Sequence, residues 1–151
     1  MNFFNLKTEI KKKYVDIFSL KRYINNNDID ILDDILLINT LPLNKQDCLI
    51  MKTLTAENEI IEIQKLQDNY IYNKKIIVYG MNCIDNTVDN KYEQLLNLGF
   101  NETYIYKGGM FEWVLLQDIY GEEYFRTTMK ILDPLEWCNN EYIKNNLLTY
   151  Y

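Results

Sequence analysis

Apolar residues in this chain fall into short blocks that switch between two spacings. Ile35-Leu36-Leu37-Ile38 and Ile76-Ile77-Val78-Tyr79 are continuous apolar runs of strand length, the pattern of strands covered on both faces in a parallel sheet. Thr103-Tyr104-Ile105-Tyr106 is rich in β-formers and reads as a further strand, and Tyr14-Val15-Asp16-Ile17-Phe18 alternates as a short one. Between these blocks the spacing turns helical. Ser19 is placed to cap a helix through Leu20, Tyr23 and Ile24, which Asn25-Asn26-Asn27-Asp28 breaks. Thr55, with Glu57 and Glu59 close behind, opens a helix to about Asp68 that carries Ile60, Ile61, Ile63 and Leu66. A helix from about Asn86 sets Val88, Tyr92, Leu95 and Leu96 on one face, and Gly99 stops it. Gly108-Gly109 turns the chain into a helix from Met110 to Tyr120 that is apolar on nearly every side and ends at Gly121. Asp133-Pro134-Leu135-Glu136 joins an N-cap, a proline at the first helical position and an acid at the third, and so announces a C-terminal helix.

Strands alternating with helices predict an α/β fold: a doubly wound, mainly parallel sheet with helices on both faces and right-handed crossovers. The chain has 151 residues, the size of a single domain with one core, and no internal repeat or low-complexity linker divides it. The expected organisation is an N-terminal extension over residues 1–13, a domain over 14–128, and a C-terminal helical extension over 129–151 packed on that domain.

Composition narrows the chemistry. The apolar content is 48%, with no uninterrupted stretch of the roughly 18 to 20 residues needed to span a bilayer, so a water-soluble protein without a membrane partner is expected. Met1 to Tyr14 holds two phenylalanines and the basic cluster Lys11, Lys12, Lys13 but no secretory signal, which predicts an intracellular, cytoplasmic location. A net charge of −6 disfavours nucleic acid as a partner, because phosphates must be met by clustered Lys and Arg. The absence of histidine removes the usual general base near neutral pH and the commonest metal ligand; no metal and no cofactor is expected. Three widely spaced cysteines, Cys48, Cys83 and Cys138, form neither a disulfide framework nor a CxxC metal site and read as reduced thiols. The heavy use of Asn, Ile, Lys and Tyr points to an A/T-rich genome, of protist or large-virus type.

Lys75-Ile76-Ile77-Val78-Tyr79, the loop after it, Tyr92-Glu93-Gln94-Leu95, Leu98-Gly99-Phe100 and Tyr104-Ile105-Tyr106-Lys107-Gly108-Gly109, continued by Phe111-Glu112-Trp113, resemble the second half of a rhodanese domain. The resemblance covers about Tyr14 to Thr128 and is strongest from Lys75 onward. In the first half, Ile38-Asn39-Thr40 stands where the family usually has Asp-x-Arg, and Cys48-Leu49-Ile50-Met51-Lys52-Thr53-Leu54 replaces Gly-His-Ile-Pro-Gly-Ala-Ile. The family implies a five-stranded doubly wound sheet and, in active members, transfer of a sulfane sulfur through a cysteine persulfide. It also includes phosphatase relatives with a longer loop, and members without a catalytic cysteine.

The family's cysteine is the first loop residue after the strand, where loop amides and a helix N-terminus stabilise a thiolate or bound anion. That position is Gly80 here, which has no side chain to carry sulfur or phosphate. Cys83 is the loop's own thiol and the candidate nucleophile, with Gly80, Met81, Asn82, Ile84, Asp85 and Asn86 as candidate binding residues. A helix dipole favours a Cys83 thiolate; Asp85 and Asp89 oppose it, and the loop has no Lys or Arg. The alternative is a small apolar thiol tucked under the loop. Cys48 reads as a half-buried loop residue and Cys138 as helix packing, with a Cys48–Cys83 redox pair as the other reading of two loop thiols. Asn39 can bond the loop backbone but supplies no charge. Asp85 and Asp89 read as capping partners of the helix start rather than an acid–base pair, and Gly108-Gly109 as a turn rather than a phosphate cradle.

The helix Met110 to Tyr120 needs cover, either from Leu135, Trp137, Tyr142, Ile143, Leu147 and Leu148 of the C-terminal helix, or from a partner or second copy. The functional expectation is a rhodanese-like domain without ordinary sulfurtransferase activity, a binding or regulatory module for another protein or a small-molecule ligand. Two alternatives stand beside it: a thiol-dependent sulfurtransferase, or less directly a phosphatase, using Cys83, and a component of a larger assembly.

Overall fold

A computed structural model of the chain describes residues 11–26 and 35–138. Its sheet is built from β1 (Ile35–Asn39), β2 (Lys75–Tyr79) and β3 (Thr103–Tyr106), side by side in that order and all parallel. Leu37 lies opposite Ile77, and Ile77 opposite Tyr104. Two single-residue parallel bridges hold the places outside these strands, Thr53 against Leu37 of β1 and Tyr14 against Ile105 of β3.

The sheet is buried on both faces because its alternating side chains feed two separate clusters. Leu37, Ile77, Tyr79 and Tyr106 point to one side, where Leu20 and Ile24 of α1 (Ile17–Asn25) meet Met110, Trp113 and Val114 of α4 (Gly109–Tyr120). Ile38, Ile76, Val78 and Ile105 point to the other, against Ile63 and Leu66 of α2 (Ala56–Asp68) and Val88, Tyr92 and Leu95 of α3 (Thr87–Asn97). This is the doubly wound parallel α/β arrangement. Trp113 is fully buried, edge-on to Phe125 at 5.2 Å and to Tyr106 at 6.4 Å, and its indole N–H donates to the Arg126 carbonyl at 3.2 Å. That bond satisfies the polar end of a side chain that otherwise contributes only packing.

Local chemistry sets the element ends. Thr55 caps α2 through the Asn58 amide, as its position predicts. Gly99, just past α3, has φ +101, a backbone region that favours glycine.

The alternating segment at the N-terminal end departs from its pattern. Only Tyr14 bridges the sheet, with Lys13 O accepting from the Ile105 amide at 2.9 Å and Val15 N donating to the Ile105 carbonyl at 3.0 Å. The chain then turns directly into α1. The cap is Asp16, not Ser19: extended backbone at Asp16 lets its carboxylate accept from the Ser19 amide at 2.8 Å and the Ser19 hydroxyl at 3.2 Å. At the other end, Asp133 does cap, but what it caps is a four-residue 3₁₀ turn, Pro134–Trp137, rather than a long helix. Trp137 is drawn into the core beside α4, while Leu135 stays exposed. Tyr142, Ile143, Leu147 and Leu148 lie outside the described residues, and Leu115, Ile119 and Tyr120 of α4 are exposed. Among the described residues no helix is long and apolar enough to cross a membrane.

The bond from the Ser19 amide, the largest influence, holds the Asp16 carboxyl below its ordinary range. A carboxyl with a depressed folded-state pKa stabilises fully above its unfolded value and loses that contribution as pH falls. Asp16→Ala should therefore lower the urea midpoint above about pH 4, with the deficit shrinking in more acidic buffer. Ser19→Ala should have the smaller effect, and equal effects would reject Asp16 as the cap.

Candidate functional site at the C-terminal edge of the sheet

β2 ends at Tyr79 and the chain bends at Gly80, both buried. The bend is pinned to the start of α4, where the Met110 amide donates to Gly80 O and the Phe111 amide to Met81 O, each at 2.9 Å. Such close approach needs Gly109: its φ is +67, and a Cβ there would stand 2.7 Å from Gly80 O and 2.9 Å from Asn82 N. The glycine pair is thus a turn and a packing contact.

Inside the loop, Asp85 turns back on itself. Its Oδ2 accepts from the Met81 amide at 2.9 Å, and its Oδ1 accepts from the Thr87 amide at 3.0 Å and the Thr87 hydroxyl at 2.6 Å. The Thr87 hydroxyl also lies 2.8 Å from that of Thr40, just past β1. Asp85 is thereby an internal anion bonded to the amides at both ends of the bend. It also lies where a side chain at position 80 would be: a Cβ on Gly80 would meet Asp85 Oδ2 at 2.5 Å and Val88 Cγ2 at 2.6 Å. The capping expectation for Asp85 is met at the Thr87 amide, the first residue of α3; its bond to Met81 was not legible in spacing. Asp89 is instead paired with Lys12 at 2.7 Å, an ion pair whose hydrogen bond raises the Lys12 pKa.

Cys83 is exposed and lines a cleft of about 220 Å³ with Asn82, Asp85, Asp89, Lys12 and Lys107. The loop itself has no Lys or Arg, but two lysines reach the cleft from distant segments, Lys107 resting over the Tyr14 ring with its Nζ 6.0 Å from the centroid. Nor is the thiol tucked under the loop. Cys48 lies half-buried in another cleft, with Trp137, its Sγ 3.4 Å from the Met129 carbonyl, and burial pushes its thiol pKa up. The two clefts share no lining residue. Cys138 is half-buried at the end of the 3₁₀ turn rather than inside a helix.

Asn39 serves the loop after β1. Its Oδ1 accepts from the Leu41 amide at 3.1 Å and from Gln46 Nε2 at 2.7 Å, while its Nδ2 donates to the Leu54 carbonyl at 3.3 Å. Asn82 ties the 80–85 bend to the C-terminal segment, donating from Nδ2 to the Trp137 carbonyl at 3.1 Å and accepting the Ile84 amide at Oδ1.

A larger cleft, about 560 Å³, opens beside the bend. Met81, Asn82, Ile84, Asp85 and Asn86 line it together with Thr40, Pro42 and Thr87, while Gly80 is buried outside that lining. Thr40 and Pro42 were not anticipated. Parallel strands deliver all their C-terminal loops to one edge, so the residues just past β1 belong beside those just past β2.

No family model and no curated protein sequence matches the chain. Solved structures do. The BH2092 protein of Bacillus halodurans aligns at a TM-score of 0.55 and 18% identity over 70% of this chain and 74% of that one. The Alr3790 protein of Anabaena sp. aligns at 0.53 and 18% over 81% and 96%, and a single-domain sulfurtransferase of Saccharomyces cerevisiae at 0.51 and 15% over 75% and 97%. At these identities the likeness is one of fold, and the fold is rhodanese-like.

If Asp85 closes the bend, Asp85→Ala should cost about 1–3 kcal/mol in denaturant unfolding, through the amides it leaves unpaired. Gly80→Ala should cost a similar amount alone and less in the Asp85→Ala background. Additivity of the two in a double-mutant cycle would show that the side chains do not compete for one space.

Proposed function

We propose that this chain is a non-catalytic rhodanese-like domain that works as a binding or regulatory module. The observation that carries the reading is the Asp85 carboxylate, which takes the amide at the start of the bend and fills the space of a nucleophile at position 80. An anionic sulfur donor approaching this bend would meet a fixed negative charge of the same sign in the place where the cradle would hold it. Sulfur transfer through position 80 would also require a side chain that glycine lacks.

A second reading has one observation in its favour. Cys83 is exposed in a cleft that also holds Lys12 and Lys107, cations that suit an anionic sulfur donor, so a sulfurtransferase working through a Cys83 persulfide is the alternative. Asp85 and Asp89 share that cleft and oppose it.

Thiosulfate-to-cyanide sulfur transfer separates the two. The non-catalytic reading expects thiocyanate to form at the protein-free rate for both the wild type and Cys83→Ser. Transfer by the wild type that disappears in Cys83→Ser would reject it in favour of the thiol enzyme.

A further inference from the structure

We infer that the clefts at the C-terminal edge of the sheet take an extended segment of a partner protein in which an apolar side chain is flanked by lysine or arginine. This rests on the binding-module reading and names the kind of partner. The cleft of about 560 Å³ is continued by a second of about 460 Å³, the two sharing Thr40 and Thr87. Together they run from the bend after β2, past the end of β1, to the N-terminal turns of α2 and α3. Each cleft is of a size that takes a small ligand or a few side chains.

Two apolar residues stand exposed in the lining without cover from the described chain: Leu43, 88% exposed, from the turn after β1, and Ile84, 55% exposed, from the bend. An apolar side chain laid against either would remove that residue's surface from water as well as its own.

Charge selects the flanks. The walls carry the carboxylates of Asp85 and Glu59, and Lys91, the one cation among the described lining residues, is matched by Glu59 at 2.6 Å, which leaves Asp85. The lining is therefore net negative, on a chain whose formal charge is −6. Lys or Arg beside the inserted side chain would meet complementary potential, and an acidic segment would be repelled. Such attraction is screened by salt.

The probes are two fluorescein-labelled peptides of one length, each with a central leucine, flanked in one by lysines and in the other by glutamates. Anisotropy with the full chain should show the lysine peptide binding at least tenfold tighter, a difference of about 1.4 kcal/mol. Raising the salt should weaken it. Leu43→Ser and Ile84→Ser, with unfolding midpoints equal to wild type, should each weaken it severalfold. Equal binding of both peptides, no binding of either, or affinity indifferent to both substitutions would overturn the inference. The sulfur-transfer assay is separate: activity alongside intact lysine-peptide binding sinks only the non-catalytic reading, and absent binding without activity sinks only this one.

Discussion

Asp85 shares its two oxygens between the amide that opens the bend after β2 and the amide that begins α3, and the rest of the edge is arranged around that closure. Charge-assisted bonds from a carboxylate to backbone amides are stronger than neutral ones, and they leave no donor at these two positions free for another anion. Gly80 follows from it, since any Cβ there would displace the carboxylate. The Thr87 hydroxyl passes the contact on to Thr40, and Thr40 donates its amide to the Tyr79 carbonyl at 3.0 Å, so the ends of β1 and β2 and the start of α3 form one bonded unit. Here the rhodanese-like scaffold closes the bend after β2 upon its own side chain.

Much of the fold was legible in the chain because its signals are strong and local. Ile35–Ile38 and Ile76–Tyr79 read as doubly buried strands since no polar residue interrupts them, and the two core clusters show why: successive side chains enter opposite faces. Where reading failed, two local rules competed. Asp16 and Ser19 are both good caps three residues apart, and alternation over Tyr14 to Phe18 is equally the pattern of one edge contact followed by a helix start. Only the Ile105 carbonyl and amide, supplied by β3, decide between them. At Asp133-Pro134 the capping signature was sound, but it governs the beginning of an element and not its length.

The candidate site divides along the same line. The glycine that opens the bend after β2 was readable because the flanking strand and helix fix its place in the chain. That Asp85 folds back into the space beside Gly80 was not, since the bond depends on the path of five residues rather than on their spacing. Lys12 and Lys107 reach the Cys83 cleft from segments well separated in sequence, one on either side of the bend, and nothing in the loop's own composition announces them.

The outer rungs beside β1 and β3 are each a single residue wide, Thr53 on one margin and Tyr14 on the other. A margin that short offers little ladder for a foreign strand to zip against, which is how many sheets recruit peptides and how unguarded ones stack into fibrils. Along these two flanks the described residues give a poor template for sideways growth, and the open groups of the fold lie instead at the loop-bearing rim.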